Sequence, residues 1–570
     1  MYGCDTCLFT WRSSERLRSP IPSQTERFKM TAKKLPMCPI EQNPVARNVA
    51  VPPLQGFRSS RHLSSLRQYL DALRDLGELQ EIAHEVDWNL EIGAVTRRCY
   101  ETGAPAPLFG RVKGAEPGFR VLGAPAGLSA RPGQRFARIA VSVGLPPGAT
   151  ALEIVEALSR AEDNPPIPPR VVEDAPCKRN VFTGDAVDLM RLPTPLIHDG
   201  DGGRYVNTWG TIVARSPDGA WTNWSIARIM LRDRNTMVGI VSPQKHVGRV
   251  HAMWKAIGKP MPFALSLGQD PVVPFFAGMP LRDGISEGPV IGGYVGEPIE
   301  VVRCETVDLD VPASSEIVIE GNLTLDEMDA EGPMAEYPGY IVPSSRQFRP
   351  LYRVSAMTYR DDPILPIVAA GHPPEENHTC WGIGIAATVL AELRKTGWPV
   401  TACFVPFEAA CHLLVVTVSR DWQRRTAHPN AADFARALGD YVFSLRGGQV
   451  VPRIFVVLDD VDPSNPADVL WAMATRVHPG DGEIIFPTLS ANPLNAFMRA
   501  NEKAAMFTTK AVLNGLPRDD WAADQVPVRA DFATLYPEEL KRKVLAGWTT
   551  LYGFPGDMCI CHGQNAYQNP

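Results

Sequence analysis

The pattern of this chain changes character twice, and that change restricts its folds more than any other feature. From Tyr205 to Thr358, short β-type runs follow one another: Tyr205–Ala214, Thr222–Leu231, Met237–Val241, Glu300–Cys304, Glu316–Glu320 and Leu351–Thr358. Turn residues bound them, and Ser216-Pro217-Asp218-Gly219 reads as a hairpin turn between the first two. His246 to Ile257 reads as one interposed helix. Thr379 to Arg394 then forms one long, mostly apolar helical pattern, a natural connector between domains. Beyond it the elements alternate: strand Val400–Val405, strand His412–Val418, helix Asn430–Leu445, strand Arg453–Leu458 and helix Pro466–Thr475. Alternation of that kind predicts a smaller α/β unit, whereas the earlier segment is β-rich with a helical decoration.

Three helices precede the β-rich part. Leu66, Tyr69, Leu70, Leu73 and Leu76 recur at helical spacing, and Gly77 closes the run. Leu90–Tyr100 and Ala151–Ala161 follow, and the stretch Asn164-Pro165-Pro166-Ile167-Pro168-Pro169 cannot be regular structure. Pro537–Trp548 reads as a terminal amphipathic helix able to dock on another domain or subunit. Residues 1–58 mix Arg, Ser, Pro and Lys without periodicity and read as a disordered extension. Their few acids leave a mitochondrial transit peptide as the alternative to a cytoplasmic location.

Composition closes several functional classes. A net charge of -6 gives no basic footprint for nucleic acid. No apolar run is long enough to span a bilayer. The 11 cysteines are scattered. Cys4/Cys7 and Cys559/Cys561 with His562 could each hold half a zinc site, but neither has a second pair at finger spacing. A glycine-rich phosphate loop and a nucleophile elbow are both missing from the sequence.

Two segments carry candidate chemistry. Glu331-Gly332-Pro333-Met334-Ala335-Glu336 puts two carboxylates five positions apart on a backbone that Gly and Pro keep out of a helix. Such a pair can divide proton work when its environments separate the two acids; two solvated loop glutamates would look the same in sequence. Trp221-Thr222-Asn223-Trp224-Ser225-Ile226-Ala227-Arg228 packs two indoles, an amide and a guanidinium into one predicted strand. Aromatic packing on a sheet with a solvated Arg would explain that segment equally.

Taken together, these segments resemble the UbiD-type decarboxylases, which use prenylated FMN, and most of all the fungal phenylacrylic (ferulic/cinnamic) acid decarboxylases. The matching blocks are Pro195–His198, Ser216–Gly219, Thr222–Arg228, His246, Met279-Pro280 with Asp283-Gly284, Glu331–Gly339, Val469–Ala472 and Tyr536-Pro537-Glu538, spanning Leu63 to Tyr552. The resemblance implies an α+β and α/β multidomain architecture. A β-rich split-barrel flavin-binding domain (59–378) is joined by a connector helix (379–396) to an α/β dimerisation domain (397–530), and 531–570 form a C-terminal helix and tail.

It also implies a site. Asn223, His246 and Glu287 match residues that hold Mn²⁺ (or Mg²⁺) against the cofactor phosphate. Trp224, Ala277, Met279 and Glu287 match a K⁺ site built largely of carbonyls. Trp224, Ser225, Ile226, Ala227, Arg228, Lys245 and Lys510 match cofactor contacts, although Lys245 replaces a usual glutamine. Glu336 matches the proton donor, with Arg228 and Glu331 as its charged partners. Tyr337 and Trp381 fall on the substrate pocket, where Trp381 replaces a smaller apolar residue.

The implied reaction is reversible, non-oxidative decarboxylation of an aromatic or α,β-unsaturated acid. The flavin takes up the electrons left when CO₂ departs. A flavin prenyltransferase as cofactor supplier and a homodimer follow from the same resemblance. A carboxylate-pair hydrolase of glycosidase type, with Glu331 and Glu336 flanking a sugar bond, is the competing reading. A non-catalytic flavin-binding scaffold is another.

Overall fold

The computed structural model describes residues 62–522 and 524–555. Both candidate zinc half-sites and the N-terminal extension lie outside the described residues.

Local rules place the first helix. Ser65 caps Leu66–Leu76 by accepting from Gln68 N, and Gly77 ends it. Its buried face of Leu66, Tyr69, Leu70 and Leu73 packs beside a four-stranded sheet ordered Leu79–Val86, Ala106–Val112, Arg120–Gly123, Ile364–Ile367. The helices Glu91–Thr102 and Ala151–Ser159 fall close to their expected spans, the second opened by a Thr150–Glu153 capping box.

The central sheet has nine strands. Its path runs Tyr205–Asn207, Ile229–Leu231, Thr236–Gly239, Gln347–Tyr359, Ile317–Glu331, Met261–Leu267, Thr211–Arg215, Thr222–Ser225, with Asn180–Thr183 paired to Gln347–Tyr359. All these pairings are antiparallel. Two of the long strands expected from sequence are each broken. Tyr205–Ala214 stops after Asn207 and resumes at Thr211, and Thr222–Leu231 stops after Ser225 and resumes at Ile229.

The breaks explain the shape of the sheet. In a flat sheet, six strand spacings of about 4.8 Å would separate each such pair by about 29 Å. Four Cα steps of about 3.8 Å can reach only about 15 Å. The sheet must therefore curl until its two edges approach. The links Thr208–Gly210 and Ile226–Arg228 cross the remaining gap. Apolar side chains such as Ile212, Ile229, Phe263, Leu265, Ile319 and Tyr352 fill the curl.

Helix Ile383–Lys395 follows a π-helical turn at Asn377–Gly382, so the expected helix Thr379–Arg394 begins with a wider turn than the pattern implied. Its Ile383, Ile385, Val389, Leu390 and Leu393 are buried, each worth about 1.5–3 kcal/mol of transfer free energy. Beyond it lies a five-stranded sheet ordered Val400–Phe404, Leu413–Val418, Arg453–Leu458, Phe507–Asn514, Glu483–Ser490. The Leu413, Arg453 and Phe507 strands are parallel neighbours, as alternation with helices Ala431–Ser444 and Pro466–Arg476 requires. Asn430 and Asn465 cap those two helices. The two strands Glu483–Ser490 and Phe507–Asn514 were not foreseen in the sequence, and the terminal helix occupies Glu538–Gly547. No helix among the described residues is long and apolar enough to cross a membrane.

Candidate functional site

The gap in the curled sheet opens into a cavity of about 1680 Å³. Both gap-crossing links line it, as do the glutamate loop, the start of the long helix and the segment Ser490–Met506. Chemistry therefore concentrates where backbone hydrogen bonding between strands is interrupted.

Arg228 ends the second link and organises the charge. Its Nε donates to Glu331 Oε1 at 2.8 Å and its Nη2 to Glu331 Oε2 at 3.0 Å, a two-pronged contact. Its Nη1 contacts the Glu336 carboxylate. Tyr205 OH donates to Glu331 Oε1 at 2.8 Å, and burial together with the Glu331 charge pushes the Tyr205 phenol up. Glu331 is buried at the end of the long strand, whereas the Glu336 side chain keeps 21% of its surface exposed. One carboxylate is thus fixed as the ion-pair partner of Arg228, and the other stands at the cavity wall on an irregular loop. Gly332, with φ +83, provides the bend between them. Arg349, also lining the cavity, is held below its ordinary value by burial.

A second cluster lies on strand Thr222–Ser225 and two helix starts. Asn223 Nδ2 donates to Glu287 Oε1 at 2.9 Å and lies 3.3 Å from His246 Nδ1, which is 3.5 Å from Glu287 Oε1. All three residues are buried. Trp224 N donates to Glu287 Oε2 at 2.7 Å and Ser225 Oγ to Asn223 Oδ1 at 2.9 Å. Trp221 packs edge-on to His246, and Asp283 Oδ1 lies 3.2 Å from His246 Nε2. Asp283 also takes Arg446 Nη1 at 2.8 Å and contacts Arg249. Among the described residues no three His, Cys, Asp or Glu side chains form a metal cluster; the set here includes an amide. Ala277 and Met279 close the short helix Val273–Gly278, which packs on the same strand.

Most of the sequence-derived residues come together. Ser225, Ile226, Ala227, Arg228, Lys245 and His246 line the cavity, as do Ala277, Met279 and the pair Tyr337 and Trp381. Tyr337 and Trp381 meet edge to face at 5.2 Å, and Lys245 Nζ lies 5.9 Å from the Trp381 ring. Lys245 is accessible from the cavity yet enclosed by protein, and desolvation, reinforced by Arg228 and Arg446, lowers it to about 8.

Lys510 stands apart. It is buried outside the cavity lining, donates to Gly448 O at 3.1 Å and Gln449 O at 2.7 Å, and is lowered to about 7 by burial. It thereby secures the helix Arg446–Val450, whose Arg446 does line the cavity.

Tyr205, Arg349, Arg446 and His412 also belong to this neighbourhood but escaped the sequence reading. Tyr205 and Arg349 come from ordinary strands, Arg446 from a helix start and His412 from the bend just before strand Leu413–Val418, and no local motif marks them.

The carboxylate-pair hydrolase reading does not survive. Glu331 and Glu336 both close onto the Arg228 guanidinium, so the pair is bridged by a cation rather than left open between them.

Comparison with known proteins identifies the family. Three family models cover the chain: the 3-octaprenyl-4-hydroxybenzoate carboxy-lyase N-terminal domain at residues 70–158, its Rift-related domain at 170–373 and its C-terminal domain at 378–515. A pyrrole-2-carboxylic acid decarboxylase of Pseudomonas aeruginosa is 43% identical over 87% of this chain and 99% of its own length. Ferulic acid decarboxylase 1 of Saccharomyces cerevisiae is 38% identical over 86% and 98% respectively. An evolved dimeric form of the UbiD-class enzyme HmfF from Pelotomaculum thermopropionicum, solved with prFMN, superposes with a TM-score of 0.66 at 25% identity, covering 84% of this chain and 99% of that one. Its fold is thus of the UbiD class, and the chain belongs to the UbiD family of carboxy-lyases.

Proposed function

We propose that this enzyme reversibly and non-oxidatively decarboxylates an aromatic, heteroaromatic or α,β-unsaturated carboxylic acid, with Glu336 as proton donor. The observation that carries the reading is the Arg228–Glu331–Glu336 network at the wall of a large cavity. Relatives that act on pyrrole-2-carboxylic and ferulic acids support the substrate class. The bulky Tyr337–Trp381 wall favours a compact ring over an extended cinnamate.

Prenylated FMN, found in a related UbiD-class structure, would supply the electron sink that no side chain here offers. The residues then have separate tasks. Arg228 orients the carboxylates, Glu331 fixes Arg228, and Tyr205 fixes Glu331. Glu336, at the accessible end, holds the proton that the carbon receives after CO₂ leaves.

The buried cluster suits a divalent ion beside the cofactor phosphate. An ion with ligands at about 2.1 Å sets neighbouring ligand atoms about 3.0 Å apart. The Asn223, His246 and Glu287 atoms lie 2.9–3.5 Å from one another. A half-turn of the amide presents Oδ1 instead of Nδ2. Amide oxygen, imidazole and carboxylate suit Mn²⁺ or Mg²⁺. Trp224, Ala277 and Met279 with Glu287 would form the K⁺ site. Lys245 and Arg446 supply positive charge at that end, and Lys510 acts through the Arg446 helix.

The same reading includes the split-barrel description of residues 59–378, the connector helix at 379–396, the dimerisation domain at 397–530 and the C-terminal segment at 531–570. It also includes a homodimer, a cytoplasmic location and a flavin prenyltransferase supplier. The test is expression with and without a flavin prenyltransferase, identification of bound flavin by mass, and assay of CO₂ release from pyrrole-2-carboxylate, hydroxybenzoates and cinnamates. A protein loaded with prenylated FMN and Mn²⁺ that releases no CO₂ and exchanges no labelled bicarbonate would sink the proposal.

A further inference from the structure

Glu336 sits on an irregular loop, yet a proton donor must be held to within about half an ångström of its working position. The residues on either side of it are fixed from two unrelated parts of the fold. Ala335 N donates to Asp201 Oδ1 at 3.1 Å. The Asp201 side chain is fully buried, and its other oxygen accepts from His198 N and lies 3.0 Å from His198 Nδ1. Gly202 N donates to Pro333 O at 2.7 Å, and a Cβ at Gly202 would lie 2.1 Å from Gly332 O. The two loops are therefore laid directly on each other, and position 202 admits only glycine.

On the other side, His378 Nδ1 accepts from Glu375 N at 3.0 Å. That bond leaves the proton of the neutral ring on Nε2, which lies 2.9 Å from Tyr337 O and donates to it. His378 is fully buried in the π-helical turn that opens the long helix. Glu336 N and O are themselves engaged by Tyr340 O at 3.0 Å and Gly339 N at 2.9 Å.

We infer that Asp201 and His378 are positioning residues for Glu336, clamping the peptide units of Ala335 and Tyr337 so that the acid projects into the cavity in one orientation. The inference rests on the proposed role of Glu336. It assigns work to two buried groups that touch neither Arg228 nor the Asn223–His246–Glu287 cluster. It also predicts that the clamp acts on proton delivery rather than on binding.

The experiment uses the full-length, flavin-loaded enzyme and four variants: Asp201→Ala, Asp201→Asn, His378→Phe and His378→Gln. Gln keeps a donor for Tyr337 O, and Asn keeps an acceptor for Ala335 N while giving up the one for His198 N; Ala and Phe keep neither. The expected result is a 10- to 100-fold fall in kcat for Asp201→Ala and His378→Phe. KM should stay within threefold, bound-flavin mass should be unchanged, and the solvent deuterium isotope effect on kcat should rise. Asp201→Asn and His378→Gln should recover at least a third of the activity. Hydrogen exchange of the peptide covering residues 333–340, read by mass spectrometry, should be slow in the parent enzyme and at least tenfold faster in the two disruptive variants.

Unchanged kcat and isotope effect in folded Asp201→Ala and His378→Phe would overturn the inference. So would equal losses in the disruptive and conservative variants. If a disruptive variant fails to fold, rapid exchange of residues 333–340 in the parent enzyme, or failure of the conservative variant to retain activity, would overturn it. A parent enzyme that lacks decarboxylase activity refutes the functional reading instead, and the exchange measurement still decides whether the clamp exists.

Discussion

The curled sheet and the five-stranded sheet use comparable apolar cores to different ends. Strands Leu413–Val418 and Arg453–Leu458 are almost continuously buried and pair along their length. The curled sheet instead leaves a gap that two three-residue links cross, and Arg228 ends one of them. Regular pairing consumes backbone donors and acceptors and directs side chains alternately into core and surface. A gap frees side chains to converge on a cavity. The five-stranded unit shapes that cavity from outside, through His412, Arg446 and Ser490–Met506. The chemistry is proposed to lie on the gap side and the stability on the other.

Substitutions can break that division, and the largest effect should fall on the acid. Glu336→Gln should leave the flavin bound and lower kcat by at least about 10³-fold, at the upper end of what a general acid contributes. Steady-state CO₂ release together with flavin mass checks it, and near-normal turnover would move the proton donor elsewhere. Arg228→Ala comes next. It leaves the buried Glu331 carboxylate to the Tyr205 hydroxyl. The expected cost is about 3–5 kcal/mol of stability, as for a broken buried pair, together with loss of turnover. Urea midpoints would show it.

Two pH experiments sharpen the contrast. Glu375 is fully buried at the opening of the long helix and raised by desolvation to about 8. Its raised folded value means that the unfolded chain gives up this proton first as pH rises. Stability from this group is therefore complete below the ordinary glutamate range and declines up to about pH 8. Glu375→Gln should flatten that decline in a plot of unfolding midpoint against pH; an unchanged slope would show that Glu375 ionises normally.

Lys510, on the five-stranded side, behaves oppositely. Its value is lowered to about 7, so the unfolded chain binds the extra proton between about pH 7 and the ordinary lysine range, and stability increases with pH there. Lys510→Met should abolish that increase and leave flavin loading within twofold. A large loss of loading would instead place the lysine at the cofactor. Trp381→Leu is expected to be mildest. It removes the Tyr337 and Lys245 contacts of the wall, and KM should shift a few-fold in favour of longer acids such as cinnamate.

Much of this was legible in local pattern. The helices Leu66–Leu76 and Ala431–Ser444 announce themselves through caps and apolar spacing, and His246–Ala256 falls close to its expected span without a capping side chain. The Ser216–Gly219 turn lies, as expected, between paired strands, with Arg215 opposite Thr222. Other features were not legible. Tyr205–Ala214 and Thr222–Leu231 read as unbroken strands because β-type residues flank both breaks and enter them at Thr208, Trp209 and Ile226. Nothing in a window of ten residues records that the sheet must curl there. Strand Glu483–Ser490 was missed because Pro487 interrupts its β-type run, although Glu483–Pro487 alternate between exposed and buried.

By itself the sequence determined which short segments bear amides, guanidinium and carboxylates, and their combination was specific enough to indicate a family. Tertiary structure alone decided that Asn223, His246 and Glu287 meet, that Arg228 stands between Glu331 and Glu336, and that Lys510 reaches carbonyls rather than the cavity. The reason is distance along the chain. Hydrogen-bonding partners such as Arg228 and Glu331, separated by 103 residues, are joined only when the sheet curls, and the curl is a property of all its strands at once.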